Sequence, residues 1–197
     1  MTKSLSHFVH KKGFFISTEN WIAISLTVLL FSMAYIENLT DFSFNGAVTY
    51  GSIIWLLYII WHLVRNFSRH EYENGVYKGK ISFEETFISI NGVKYDLSLV
   101  NKIAFISYDV KGALCNSTNA FEPRLSNGLD NYIEMTLDSG EKVKRNFLQT
   151  ENQKVKYFKE LLVKYHLENK ISWLSLLSIL EIEDYDDIQK FKAEIHK

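Results

Sequence analysis

The side chains best suited to chemistry do not assemble into a reaction centre. Cys115 is the single cysteine, and no histidine sits beside it in sequence to draw off its proton. The six histidines are scattered, without the short spacings that let two imidazoles hold one metal ion. Ser126 lacks the flanking glycines of a nucleophile elbow. No glycine-rich loop follows a strand-like run to cradle a phosphate. Glu181, Glu183, Asp184, Asp186 and Asp187 form the densest carboxylate run, but without the ligand spacing or central glycine of a calcium loop. They read as charges at the N-terminus of a helix marked by Ile188, Phe191 and Ile195, where carboxylates complement the helix dipole. The sequence therefore predicts a non-enzymatic protein with no metal and no cofactor.

Two segments are candidates for binding. Glu122–Asn131 is the densest polar stretch, and Arg124, Ser126, Asn127, Asp130 and Asn131 could present a surface from a loop on a rigid scaffold. The same residue types satisfy local backbone groups in any turn-rich loop. Ile171–Leu180 is apolar almost all round and too short to cross a bilayer. Its Trp173, Leu174 and Leu177 must be covered by the rest of the domain, by a membrane surface or by a partner. Lys142, Lys144 and Arg145, with Lys154, Lys156 and Lys159, are either a solvated face or a patch drawn to anionic lipid at about 1 kcal/mol per residue. Residues 66–197 hold 18 basic and 20 acidic side chains, a balance that excludes a nucleic-acid binder relying on phosphate neutralisation.

The elements that would carry these residues fall into two classes. Residues 20–36 contain no charge between Glu19 and Glu37, and residues 42–64 contain none before Arg65. A helix needs about 20 apolar residues to cross hydrocarbon, with a range of about 17–25. The expected spans are residues 20–37, at the short end of that range, and 46–65. Trp21 and Tyr35 bracket the first, and Tyr50 and Trp61 the second, as interfacial aromatic residues do. Asn38–Asn45 is a short polar connection, so the two helices run antiparallel. Lys3, Lys11 and Lys12 precede the pair, Arg65 and Arg69 follow it, and the connection has no basic residue. The positive-inside rule then puts both termini in the cytoplasm. The rival reading is a cleaved signal peptide ending near Ser32-Met33-Ala34. His62, close to a helix end, is expected to reach the headgroups.

Past Arg69 the apolar pattern alternates, as in half-buried strands. Lys80–Phe83 and Thr86–Ile90 flank Glu84-Glu85. Asn91-Gly92 then turns the chain into Val93–Leu97, a strong two-residue hairpin signal. Asn101–Val110 and Asn131–Leu137 follow, and Asp138-Ser139-Gly140 turns into Glu141–Phe147. In Glu151–Tyr165 the period becomes helical, with Val155, Phe158, Leu161, Leu162 and Tyr165 on one stripe and Thr150 with Gln153 as a capping box. The organisation read from sequence is a flank at 1–19, a two-helix hairpin at 20–66, a soluble domain at 75–167 and a helical extension at 168–197.

Two spans, then antiparallel strands, then one amphipathic helix, with phrases such as Gly79–Glu84 and Tyr95–Ile103, resembles membrane-anchored pleckstrin-homology-like proteins of bacteria, the YcxB-like family among them. The resemblance covers about residues 13–166. It implies an α+β membrane protein: a transmembrane hairpin followed by an antiparallel pleckstrin-homology-like barrel or roll capped by an amphipathic helix, with further C-terminal helices, in the bacterial cytoplasmic membrane. Lys78 and Lys80 open its first strand, but Glu84-Glu85 in the turn would repel a phosphoinositide headgroup. The expected role is an interaction or scaffold module at the cytoplasmic face, with the bilayer and a protein partner or a second copy as its partners. A subunit of a membrane complex and an anionic-lipid sensor are the alternatives.

Overall fold

A computed structural model describes residues 3–13, 15–44, 46–115 and 121–195. Asn45, at the end of the connecting loop, and residues 116–120, in the stretch before Glu122–Asn131, lie outside the described residues, as do Met1, Thr2, Phe14, His196 and Lys197. The chain is α+β, with two apolar helices near its N-terminus and a seven-stranded antiparallel sheet. It divides into two compact units: Lys12–Glu71 with Leu114–Leu125, and Met1–Lys11 with Tyr72–Ala113 and Ser126–Lys197.

In the first unit, α1 (Thr18–Leu39) and α2 (Ala47–Asn66) are each long and apolar enough to cross a membrane, and only 6% of each apolar window is buried. Ser17 caps α1 by accepting from Asn20 N–H. Gly46 opens α2 at φ 80°, the left-handed conformation glycine tolerates best. The Glu37 carboxylate accepts from Phe44 N–H at 2.7 Å, closing the connection. Between the helices Trp55 Nε1 donates to Thr27 Oγ1 at 3.1 Å, and a Cβ on Gly51 would meet Leu30 Cδ2 at 2.8 Å.

The second unit is built on β1 (Lys3–His10), β2 (Gly75–Phe83), β3 (Phe87–Ile90), β4 (Val93–Asp96), β5 (Val100–Ile106), β6 (Asn131–Leu137) and β7 (Lys142–Phe147), in the order β4-β3-β2-β1-β7-β6-β5. The strand β1 is the structure's main addition to the sequence reading. Residues 1–19 read as a flank, yet Lys3–His10 lies near the middle of the sheet, paired with β2 from Lys3↔Phe83 to His10↔Gly75 and with β7 at His7↔Phe147. The two apolar helices are therefore inserted between neighbouring strands. A bulge between His7 and Phe8 leaves Lys78 without a partner in the register and breaks the alternation by which β1 would be recognised.

The sheet does not close into a barrel. β4 is only four residues long and runs into a short 3-10 turn, Leu97–Leu99, where Asp96 accepts from Ser98 N–H at 2.8 Å and turns the chain away from further pairing. The β3–β4 hairpin turns on Asn91 (φ 53°) and Gly92 (φ 87°), as the Asn-Gly pair predicts.

After β7 the helical stripe begins as a 3-10 turn, Val155–Phe158, and becomes α3 only over Lys159–Leu167. Thr150 and Gln153 form a backbone bridge with each other instead of a capping box, and the Gln153 side chain donates to Ser4 O. α4 (Trp173–Leu180) is capped by Ser172, and α5 (Tyr185–Ile195) starts beyond Asp184, whose carboxylate accepts from Asp186 N–H at 2.9 Å. The core joins the sheet's Leu5, Ile81, Ile103, Ile133 and Phe147 to Leu162, Tyr165, Leu176 and Phe191 from the helices.

Candidate functional site

Within the sheet unit, the polar residues singled out in Ser126–Asn131 turn inward. Asn131 is fully buried, Ser126 is 3% exposed and Asn127 is 7% exposed. They organise around Asp109, which leaves the sheet just past β5. Ser126 Oγ donates to Asp109 Oδ1, and Asp130 N–H donates to Oδ2 at 2.9 Å. Asn131 Nδ2 donates to Asp109 O at 2.7 Å and Gly128 O at 2.9 Å, while its Oδ1 accepts from Asp109 N–H at 2.9 Å. Buried Gln149 completes the cluster, donating to Asn131 Oδ1 at 3.1 Å and accepting from Val155 N–H at 2.9 Å. Asn127 Oδ1 accepts from Leu129 N–H at 3.0 Å. Gly128, at φ 75°, lies so close that a Cβ would meet Gln149 O at 2.3 Å.

This arrangement satisfies a loop's backbone; it does not present groups to a ligand. Ser126, Asn127 and Asn131 are thereby removed from the candidate surface, and of this segment only Asp130 stays exposed. The buried Ser126 hydroxyl donates to Asp109 and accepts from Gly128 N–H at 2.7 Å, which ties it into the loop.

The apolar segment around Trp173 also turns inward. Leu177 is 7% exposed and belongs to the core. Trp173 stacks on Phe191 at 5.6 Å and meets His166 at 5.5 Å. Only Leu174, at 77% exposure, remains outside. The covering surface is the unit's own sheet and helices. The basic residues are largely engaged by carboxylates: Lys142 with Glu134 at 3.5 Å, Lys154 with Glu151 at 2.8 Å, Lys156 with Glu181 at 2.5 Å and Lys159 with Glu194 at 3.0 Å. Lys144 lies 3.4 Å from the centre of the Tyr132 ring. Neutralised in place, these positions give little net field to attract an anionic surface.

The polar cluster that sequence reasoning missed lies in the hairpin unit. His62 does not reach outward; it is 1% exposed. Its Nε2 lies 3.3 Å from Asn20 Oδ1, and its ring is parallel to Tyr58 at 6.1 Å and near-parallel to Phe121 at 6.4 Å. One turn along, Arg65 and Arg69 both donate to Glu19 Oε1, at 2.7 and 2.9 Å. Arg65 also covers the Trp61 ring at 4.3 Å. His62 Nδ1 and both side-chain polar atoms of Asn66 are buried without a hydrogen-bond partner among the described residues. The signal was present in sequence as Glu19-Asn20 and His62–Arg65 at the facing ends of two antiparallel helices.

Arg124 belongs to this unit, not with Ser126. Its N–H donates to Asn66 O at 2.9 Å, and its guanidinium lies 5.7 Å from the Phe67 ring. Leu125 N–H donates to Arg69 O at 2.9 Å, and Glu71 N–H donates to Leu125 O at 2.7 Å. Phe121 also lines an apolar groove of about 400 Å³ with Ile16, Asn20, Ala23, Ile24 and Ile59. Among the described residues no group of three or more His, Cys, Asp or Glu side chains is placed to hold a metal ion. No family model, no curated protein and no solved structure matches this chain.

Proposed function

We propose that this chain is a non-enzymatic membrane-anchored interaction module, in which the apolar hairpin crosses the bilayer and carries a pleckstrin-homology-like sheet domain at the cytoplasmic face. One observation carries the reading: α1 and α2 are inserted between β1 and β2, which pair from Lys3↔Phe83 to His10↔Gly75. Two strands hydrogen-bonded to each other occupy one side of a membrane, so the chain between them must leave and return on that side. A pair of antiparallel spans meets this requirement, and a single span does not. Lys11, Lys12, Arg65 and Arg69 flank the pair and favour the cytoplasm for that side. An antiparallel meander followed by a helix packed on it supports the pleckstrin-homology-like resemblance.

Cleavage after Ala34 would remove β1, a strand with neighbours on both edges, so the signal-peptide alternative is disfavoured. The ion pairs on the basic positions weigh against the lipid-sensor alternative. Crosslinking of the full-length protein in its native membrane, repeated with the hairpin exchanged for an unrelated pair of spans, tests the module. The same protein partners are expected in both forms. Loss of those partners on exchange would favour the complex-subunit reading, with the spans as the working surface.

A further inference from the structure

No glycine or proline occurs between Ile171 and Ile195, yet the helical run breaks there. α4 ends at Glu181, which takes the left-handed conformation at φ 56°. Its N–H donates to Ser178 O at 3.2 Å and Ile182 N–H donates to Leu177 O at 3.0 Å, a closure that glycine usually makes. A residue with a side chain is disfavoured in that conformation by roughly five- to thirty-fold. Glutamate is also a good helix former. The bend is therefore imposed by packing, against the local sequence. Carried straight on, Trp173, Leu177, Leu180, Ile188, Phe191 and Ile195 fall on one stripe at intervals of three or four, interrupted at Asp184.

What the bend gains in contacts is modest. Of the side chains of α5 only Phe191 is buried, stacked on Trp173. Ile188 and Ile195 are half-buried and the rest are exposed. Lys159 reaches from α3 to pair with Glu194 at 3.0 Å and lies 5.0 Å from the centre of the Phe191 ring. An exposed ion pair of this kind adds little. Among the described residues the α5 backbone hydrogen-bonds to no other element. A cavity of about 460 Å³ is left beside the helix, lined by Lys159, Ile182, Asp187, Phe191 and Glu194 among others. A helix held by one aromatic anchor belongs to the low-stability end of a fold.

We infer that α5 exchanges between two copies of this chain: α4 and α5 straighten into one helix, and the α5 of each copy seats Phe191 on the other copy's Trp173 and Glu194 on the other copy's Lys159. The occupant is a second copy because the seat already fits this helix, aromatic anchor on aromatic ring and carboxylate on ammonium. Exchange therefore keeps every contact between α5 and its seat. It also releases Glu181 from the left-handed conformation, and short connections under strain favour such exchange. The opposing cost is that of bringing two copies together, so the dimer grows with concentration. The inference goes beyond the membrane-module reading and rests on the sheet unit alone.

The test uses full-length protein in detergent, with Cys115→Ser throughout. Copies carrying Lys159→Cys and copies carrying Glu194→Cys are co-expressed under different tags, and a short bis-maleimide is added. The covalent heterodimer is compared with that from Lys159→Cys and Ser139→Cys, the latter in the polar β6–β7 turn. A chain carrying both Lys159→Cys and Glu194→Cys checks that the reagent spans the seat. The heterodimer is expected several-fold above the Ser139→Cys pair. Glu181→Gly suits the bend and weakens a straight helix, so it should lower the yield about tenfold. Glu181→Gln removes the ion pair with Lys156 but keeps a side chain at the bend, and should leave the yield within about twofold. A yield no higher than that of the Ser139→Cys pair overturns the inference. So does a yield that Glu181→Gly leaves unchanged, because the copies would then touch without exchanging α5. An equal fall with Glu181→Gln would put the effect on the ion pair and overturn it as well. If the chain with both cysteines crosslinks neither within nor between chains, α5 does not occupy this seat and the inference fails.

Discussion

Asn131 spends its whole side chain on the loop around it, bonding Asp109 twice, Gly128 and Gln149. Removing a fully buried amide leaves several groups unpaired, each at about 1–3 kcal/mol. Asn131→Ala is therefore expected to lower unfolding stability by about 2–4 kcal/mol, whereas Asp130→Ala, whose side chain is exposed, should change it by less than about 0.5 kcal/mol. Thermal unfolding of the full-length protein in detergent checks both. The sequence shows a polar run here but not its direction, because Asp109 and Gln149 lie outside the run and only the fold brings them in.

His7 makes a second prediction at this scale. It is 3% exposed in the bulge of β1, with Asn91 Nδ2 2.9 Å from its Nδ1 and no partner for Nε2 among the described residues. Burial pushes its pKa below the ordinary 6.5, with Arg145 and Lys78 adding to the shift and the Asn91 contact opposing it. Above pH 6.5 both folded and unfolded forms are neutral at this site. Below it the unfolded chain takes up the proton first, so stability falls as pH drops. The midpoint of unfolding is expected to fall between pH 7.5 and 5.5, and His7→Gln should flatten that part of the profile. An equal slope in both proteins would remove His7 as the cause.

Among the elements, α4 shows where patterning informs and where it stops. An apolar run of eight residues required burial, and its length excluded a span. Which surface buried it depended on α5 and the sheet. Leu177→Ala is expected to destabilise by about 2–4 kcal/mol, while Leu174→Ser should be near neutral, as denaturant midpoints of the two variants would show. The β3–β4 hairpin was readable because both partners flank a two-residue turn. β1 was not, because its partners lie far along the chain and its alternation fails at the bulge. His62 was misread for a similar reason: Asn20 faces it from the other helix. Leu5, fully buried on β1, gives the element its test: Leu5→Asp should prevent stable folding of the sheet unit, seen as lost protease resistance.

For the whole molecule, the chain passes between its two units four times, at residues 11–12, 71–72, 113–114 and 125–126. Tags at the two ends are expected on one side of the membrane and both retained at full mass, as protease protection of sealed vesicles would show; a lost N-terminal tag would mean that β1 is removed. The inserted hairpin also dictates an order of events during synthesis. β1 leaves the ribosome before either span, but β2 follows only after residues 11–74, a wait of roughly 3–13 s at ordinary elongation rates. If the hairpin spans a bilayer as proposed, the nascent N-terminus must meanwhile stay on the side where translation continues, with β1 still unpaired to β2. If the spans were threaded in the opposite sense, β1 would be stranded across the bilayer from β2 and β7, and the sheet could not assemble. On the proposed topology, completion of the sheet would therefore read out correct insertion.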